Sequence, residues 1–174
     1  MNELIEVIAM IETERLFLRK PQSDDLAGWT TFFTSERARF VGGGKGKTDL
    51  AWRVYAVFLG HWALHQTGPF VICRKDSQKA IGIAGPWYPN GWPEKELTWS
   101  IWSTEDEGQG FAAEAVTALG THACKFLKWS RAVSYIDPDN TASIRLAERI
   151  GCVLDASAPT PDDDPTLVYV HPKE

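Results

Sequence analysis

Thr13 to Lys20 alternates Leu16 and Leu18 with charged neighbours and stops at Pro21, a pattern that predicts a β-strand. Ser23 then reads as a helix cap with Asp24 and Asp25 in the first turn, and the helix runs through Trp29 to Phe33. A second helix starts at Thr48 and Asp49, carries Trp52, Tyr55, Phe58, Leu59 and Trp62 near helical spacing, and ends at Gly68 and Pro69. Three strands follow at Phe70 to Arg74, Ala80 to Ala84 and Glu96 to Trp102, with turn signals at Asp76 to Gln78 and Asn90-Gly91. A long helix fills Gly110 to Lys128, a strand Ala132 to Ile136, and a helix Asn140 to Ile150, which stops at Gly151. Val153 to Ala156 and Thr166 to Val170 close the chain as strands around the turn-rich Pro159 to Pro165.

The order is therefore strand, two helices, three strands, helix, strand, helix, two strands. It predicts a mixed α/β (α+β) domain whose sheet is mostly antiparallel, with about seven strands and about four helices. A chain of 174 residues suits one domain over residues 1–174, with residues 1–10 as a possible N-terminal extension.

Composition narrows the function classes. A net charge of -5 argues against nucleic acid, because phosphate neutralisation needs clustered Lys and Arg. No apolar run approaches the ~20 residues of a membrane span, and the opening Met1-Asn2-Glu3 is acidic where an export signal is basic, so a cytoplasmic location is the default expectation. Cys73, Cys124 and Cys152 are odd in number and widely spaced, which fits buried thiols rather than a metal or disulfide framework.

Two glycine-rich stretches invite phosphate. In Gly42-Gly43-Gly44-Lys45-Gly46-Lys47-Thr48 a nucleotide loop needs its first glycine at position 41, which is Val41, and no apolar strand precedes it. It reads as a polar loop between helices, with Thr48 capping the helix that follows. Glu107-Gly108-Gln109-Gly110-Phe111-Ala112 lies instead between an apolar strand and the start of a long helix, where unpaired N–H groups and the helix dipole suit a phosphate. Two glycines at a helix start are also what a plain tight turn needs.

Taken together these features resemble the GNAT superfamily of acyl-CoA-dependent N-acetyltransferases, and within it the Rim-type group that includes ribosomal-protein N-terminal acetyltransferases. The likeness starts at Ile11-Glu12-Thr13-Glu14-Arg15-Leu16-Phe17-Leu18-Arg19, typical of that group's opening strand. It continues through the pyrophosphate loop Glu107 to Ala112 with Glu114-Ala115, the downstream Asn140, Ser143 and Gly151-Cys152, and the closing Val168-Tyr169-Val170-His171-Pro172. Glu107 stands where Gln or Arg is usual, Cys152 where Phe is usual, and Ala147 where many members carry a thiolate-protonating Tyr, which the Rim-type group commonly lacks.

The resemblance implies an acetyl-CoA-dependent transfer of acetyl to a primary amine by direct attack on the thioester, with no metal. Its acceptor is then a small-molecule amine or a protein N-terminus, and a homodimer is compatible, since dimers are common in the group. It also implies that Ile101, Trp102 and Ser103 expose backbone groups to the pantetheine arm and that Glu107, Gly108, Gln109, Gly110, Phe111 and Ala112 hold the pyrophosphate. Glu96 is the leading general base, or else a solvated turn glutamate beside Glu94 and Lys95. Ser143 is a proton donor to the thiolate or a hydrogen-bond partner of CoA, and Asn140 is a pantetheine contact or a plain N-cap. An α-amine of pKa ~8 needs about 1.4 kcal/mol for deprotonation at pH 7 and a lysine about 4.6, so a single Glu suits the former.

Rival readings remain: a GNAT-fold module that binds CoA without catalysis, and a nucleotide-binding protein built on Gly42 to Thr48. His61 and His65, one helical turn apart, have Trp62 where a zinc protease needs Glu. Trp87, Tyr88 and Trp92 are either core or an aromatic wall for the amine.

Overall fold

The computed structural model describes residues 10–173. Among them are eight strands and four α-helices: β1 (Met10–Glu12), β2 (Leu16–Arg19), α1 (Leu26–Phe33), α2 (Thr48–His65), β3 (Phe70–Arg74), β4 (Ala80–Trp87), β5 (Glu96–Ile101), α3 (Phe111–Lys125), β6 (Val133–Ile136), α4 (Thr141–Arg149), β7 (Val153–Leu154) and β8 (Leu167–Val170). They form a single sheet in the order β1-β2-β3-β4-β5-β6-β8-β7. Every pair is antiparallel except β5 with β6, which are parallel and meet at one position, Glu96 opposite Val133.

The mixed, mostly antiparallel sheet agrees with the sequence, and the eighth strand is a correction. Thr13 to Lys20 is not one strand, because the Thr13 N–H bonds the Leu16 carbonyl at 2.9 Å and the Leu16 N–H bonds the Thr13 hydroxyl at 3.0 Å. That tight turn folds Met10–Glu12 back onto Leu16–Arg19. The possible extension over residues 1–10 lies outside the described residues apart from Met10.

Alternation on β3 sets up two cores. Phe70 and Ile72 face the α3 side with Leu16, Leu18, Ile81, Val116 and Leu119, whereas Val71 and Cys73 face α1 and α2 with Trp29, Phe33, Tyr55 and Phe58. Each large apolar side chain so buried contributes about 1.5–3 kcal/mol. A third cluster of Ile136, Ala147, Cys152 and Tyr169 seats α4 on the far end of the sheet.

Element ends differ from the sequence reading for identifiable reasons. Gln22, not Ser23, precedes a short 3-10 turn over Ser23–Asp25, and Asp25 is drawn inward by Arg19, which holds both its oxygens at 2.7 and 2.8 Å. Thr48 is the first residue of α2 rather than its cap, which is Lys47. Helix α3 stops at Lys125, because the Leu127 N–H bonds the His122 carbonyl and Lys128 takes φ +56°. Glu36–Val41 is a 3-10 helix that leads into the glycine run.

Candidate active site

Past its one bridge to β6, strand β5 runs on to Ile101 while β6 diverges. At the neck of this gap the Ser134 hydroxyl donates to the Leu97 carbonyl at 2.6 Å. The Trp102 N–H bonds Ile81 on β4, so the alternation of an antiparallel ladder turns the backbone groups of Trp99 and Ile101 toward the gap. Two cavities meet there, of about 790 and 610 Å³, and both are lined by Trp99, Ser100, Asn140, Ser143, Arg39, Phe40 and Val41.

The first cavity holds the glycine loop that leads into α3. Gly108 and Gly110 have φ of +69° and +82°, left-handed values that favour glycine, and Gly110 is the cap of α3. The loop is braced from beneath. Arg15 bonds the Gln109 carbonyl at 2.9 Å and Glu114 at 2.7 Å, and Arg15 and Arg74 both lie over the Phe111 ring. Burial pushes the Glu114 carboxyl up, but bonds from Thr13 and Arg15 outweigh it and hold the group below its ordinary value. Asp106, 1% exposed, ties the preceding turn to Arg74 at 3.1 Å and Lys79 at 3.3 Å.

Glu107 pairs with Arg37, so its charge is matched within the protein. Arg37 also donates to the carbonyls of Trp102 at 2.7 Å and Ile101 at 2.9 Å. One guanidinium thus joins the 3-10 helix of residues 36–41, the end of β5 and the glycine loop before α3. Arg39, Arg145 and Arg149 line the same cavity, giving it four cations against two already paired carboxylates. This cluster was not anticipated. Arg145 and Arg149 stand four apart on α4 and so share a helix face, a legible sign; Arg37 and Arg39 arrive from another part of the chain.

Of the residues predicted to contact CoA, Ile101, Glu107, Gly108, Gly110, Phe111, Ala112, Asn140 and Ser143 line this cavity. Trp102, Ser103 and Gln109 stand outside its lining. Trp102 packs its ring into the core beside Trp29 with both backbone polar groups bonded inside the protein, and the Gln109 carbonyl serves Arg15. Asn140 is the N-cap of α4, its side chain accepting from the Ser143 N–H at 3.2 Å, and the Ser143 hydroxyl accepts from the Trp99 indole at 3.2 Å. Ala147 is fully buried in the core under α4.

The second cavity is aromatic and acidic. Trp29, Phe58, Trp87, Trp92 and Tyr135 contribute to its walls, and Glu96 lies on its lining at only 7% exposure. The Trp92 indole donates to Glu96 Oε2 at 2.7 Å, and burial pushes this carboxyl up to about 7, the indole bond partly opposing the shift. Glu94 instead pairs with the Arg131 guanidinium, so of two nearby glutamates one is ion-paired and the other is not.

The other stretches singled out in the sequence have internal partners. The N–H groups of Gly42, Gly43 and Gly44 bond the carbonyls of Arg39, Ala38 and Phe33, and the Lys47 amine bonds the carbonyls of Gly42 and Gly43. A nucleotide loop would aim both sets at phosphate. His61 accepts from the Tyr88 N–H through Nε2 at 3.0 Å, which leaves its Nδ1 proton for the Thr67 carbonyl at 2.7 Å. Among the described residues no cluster of three His, Cys, Asp or Glu is arranged to hold a metal, and no helix is long and apolar enough to cross a membrane.

Comparison with known proteins bears on the family and the fold. Residues 15–153 match the acetyltransferase (GNAT) domain family. The structure is similar to that of an acetyltransferase from Agrobacterium tumefaciens, with 36% identity, 95% of each chain covered and a TM-score of 0.88. It shares its fold with a ribosomal-protein-S5-alanine acetyltransferase from Vibrio fischeri at 18% identity, 92% of this chain and 94% of that one being covered at a TM-score of 0.68. The fold is also that of an aminoglycoside acetyltransferase in complex with coenzyme A, at 19% identity, coverage of 90% and 94%, and a TM-score of 0.73. No curated protein matches the chain.

Proposed function

The chain belongs to the GNAT family of acetyltransferases, and on that premise we propose that it transfers acetyl from acetyl-CoA to a primary amine. The observation that carries this reading is the gap between β5 and β6, where a cationic, glycine-looped cavity meets an acidic, aromatic one around shared residues. The cationic side suits the phosphates of CoA, through the N–H groups at the start of α3 and the arginines around them. The opening segment Ile11 to Arg19 and the closing Val168 to Pro172 support a place near the Rim-type group. We assign the chain to the cytoplasm on its composition.

Acetyl-CoA supplies an acetyl group activated as a thioester. Glu96 takes the proton that the attacking amine nitrogen gives up as the C–N bond forms, directly or through one water. Backbone N–H groups of Trp99 and Ile101 face the gap and are the donors available to polarise the carbonyl. The Ser143 oxygen is already occupied by Trp99, which leaves its O–H free to hydrogen-bond the sulfur as the C–S bond breaks, the thiolate then taking its proton from solvent. Since a thiol has pKa ~8.5, the thiolate departs readily and this last service is minor.

The direct test is release of CoA thiol from acetyl-CoA across a panel of amines, with the acetylated amine identified by mass. Thiol release dependent on both partners is expected. Stabilisation by acetyl-CoA with no turnover on any amine would make the protein a CoA-binding module instead.

Arg37 gives a further expectation. Arg37→Ala removes the support of two β5 carbonyls and leaves Glu107 unpaired beside the phosphate loop. A charge-assisted contact of this kind is worth ~1.5–3 kcal/mol, so CoA binding measured by calorimetry should weaken by about tenfold or more.

A further inference from the structure

The lining of the two cavities divides charge. The donor side carries Arg37, Arg39, Arg145 and Arg149, and both its acids, Asp106 and Glu107, are already paired. The acceptor side carries four acids, Glu96, Asp137, Asp162 and Asp164, against the single cation Arg39, which stands where the two cavities meet because it lines both. Glu96 is buried deep among the tryptophans, whereas Asp137 is exposed at the end of β6 and Asp162 and Asp164 are exposed on the loop before β8. Acids thus occur both buried in this cavity and exposed on its lining, and aromatic rings share that lining.

One carboxylate serves one amine. The remaining three have no cation of the protein facing them on that lining except Arg39. Aromatic faces flanked by carboxylates favour ammonium groups and repel anions.

Resting on the acyl-transfer reading above, we infer that the acceptor is a small primary amine bearing a second cationic centre, as in alkyl diamines and triamines or amino sugars, and not an amino acid with a free carboxylate. The reacting nitrogen lies toward Glu96 and the second cation toward the rim carboxylates of Asp162 and Asp164. The same acid–aromatic lining disfavours any acceptor that presents an anion at the mouth.

Three four-carbon amines separate the possibilities: 1,4-diaminobutane, n-butylamine and 4-aminobutyrate end in a cation, a methyl group and an anion. With saturating acetyl-CoA, kcat/KM from thiol release should fall by about tenfold or more at each step in that order. The gap between diamine and butylamine should narrow as salt is raised, and in the double variant Asp162→Asn, Asp164→Asn it should close through a rise in KM for the diamine. Equal rates for butylamine and the diamine, or a preference for 4-aminobutyrate, overturn the inference and leave acyl transfer standing. If only monocationic or anionic amines of the wider panel release thiol, the inference falls and acyl transfer stands; if acetyl-CoA raises the melting temperature but no amine of that panel, amino sugars and peptide N-termini included, releases thiol, acyl transfer itself fails and this assignment falls with it.

Discussion

Glu96→Gln is expected to lower kcat for amine acetylation by about a hundredfold or more, the range that a positioned general base contributes. Only the ionised carboxylate can take the proton, and burial raises this group to about 7, so wild-type activity should climb as pH rises through that value. In the variant that limb disappears and only the ionisation of the amine remains. Stability should move the opposite way. A folded-state pKa above the unfolded one favours the protonated form, so the cost of burying the charge is absent near pH 4 and complete above about 7. A shift from 4.5 to about 7 corresponds to roughly 3 kcal/mol as a ceiling. Gln keeps an oxygen for the Trp92 indole without the charge. At pH 8 the variant should therefore melt higher than wild type by up to ~6–12 °C, the two converging near pH 4. A variant that is slower yet keeps the wild-type pH profile, or that melts lower at pH 8, would show Glu96 to be structural.

That pairing of lost activity with gained stability distinguishes a functional carboxylate from a buried ion-pair partner such as Asp25. Asp25 is as little exposed to solvent but accepts Arg19 on both oxygens, the Gln22 N–H and the Tyr55 hydroxyl. Burial alone would raise it, yet these partners hold it below its ordinary value. Glu96 has only an indole, and its charge is left for something else to use.

The sequence carried the sheet class and the two glycine motifs because those depend on local pattern. Val71 and Cys73 against Phe70 and Ile72 is a period of two, and Gly108 and Gly110 before Phe111 is strand-to-helix punctuation. The turn at Thr13 was missed because it is fixed by a contact far away in sequence: Glu114 accepts the Thr13 hydroxyl at 2.6 Å and the Arg15 N–H at 2.8 Å. Charges on Glu12, Glu14 and Arg15 look the same along a strand as at a hairpin tip. Arg37 was missed for the same reason, its partners Ile101, Trp102 and Glu107 lying more than sixty residues on. The division of the cavities into a cationic and an anionic half was likewise invisible to composition. A net charge of -5 averages over the two, and only the fold sorts the arginines from the aspartates.

Gly43→Ala is expected to cost more stability than alanine at any other glycine of the Gly42 to Gly46 run. A Cβ there would stand 2.3 Å from the Phe33 carbonyl oxygen and 2.4 Å from the Ala38 Cβ, distances that real Cβ atoms do not reach. Neither neighbour can swing aside: one is backbone at the end of α1, the other a fully buried methyl. Both also hold the loop, the Gly43 N–H bonding the Ala38 carbonyl at 2.9 Å and the Gly44 N–H bonding the Phe33 carbonyl at 2.7 Å. Overpacking of this severity costs about 3 kcal/mol or more, a fall of ~6–12 °C in melting temperature for a chain of this size. At Gly42 and Gly46 a Cβ meets nothing within 4 Å, and only the left-handed φ of +80° and +79° resists, about 1 kcal/mol each. Thermal melts of the three Ala variants should therefore rank position 43 far below the other two. Because Gly42 lines the second cavity alone, whereas Val41 lines both, the position-43 variant should also raise KM for the amine more than for acetyl-CoA. A Gly43→Ala protein that melts with wild type would mean that the run is a free loop, as a nucleotide-binding segment requires, rather than a packed wall of the acceptor site.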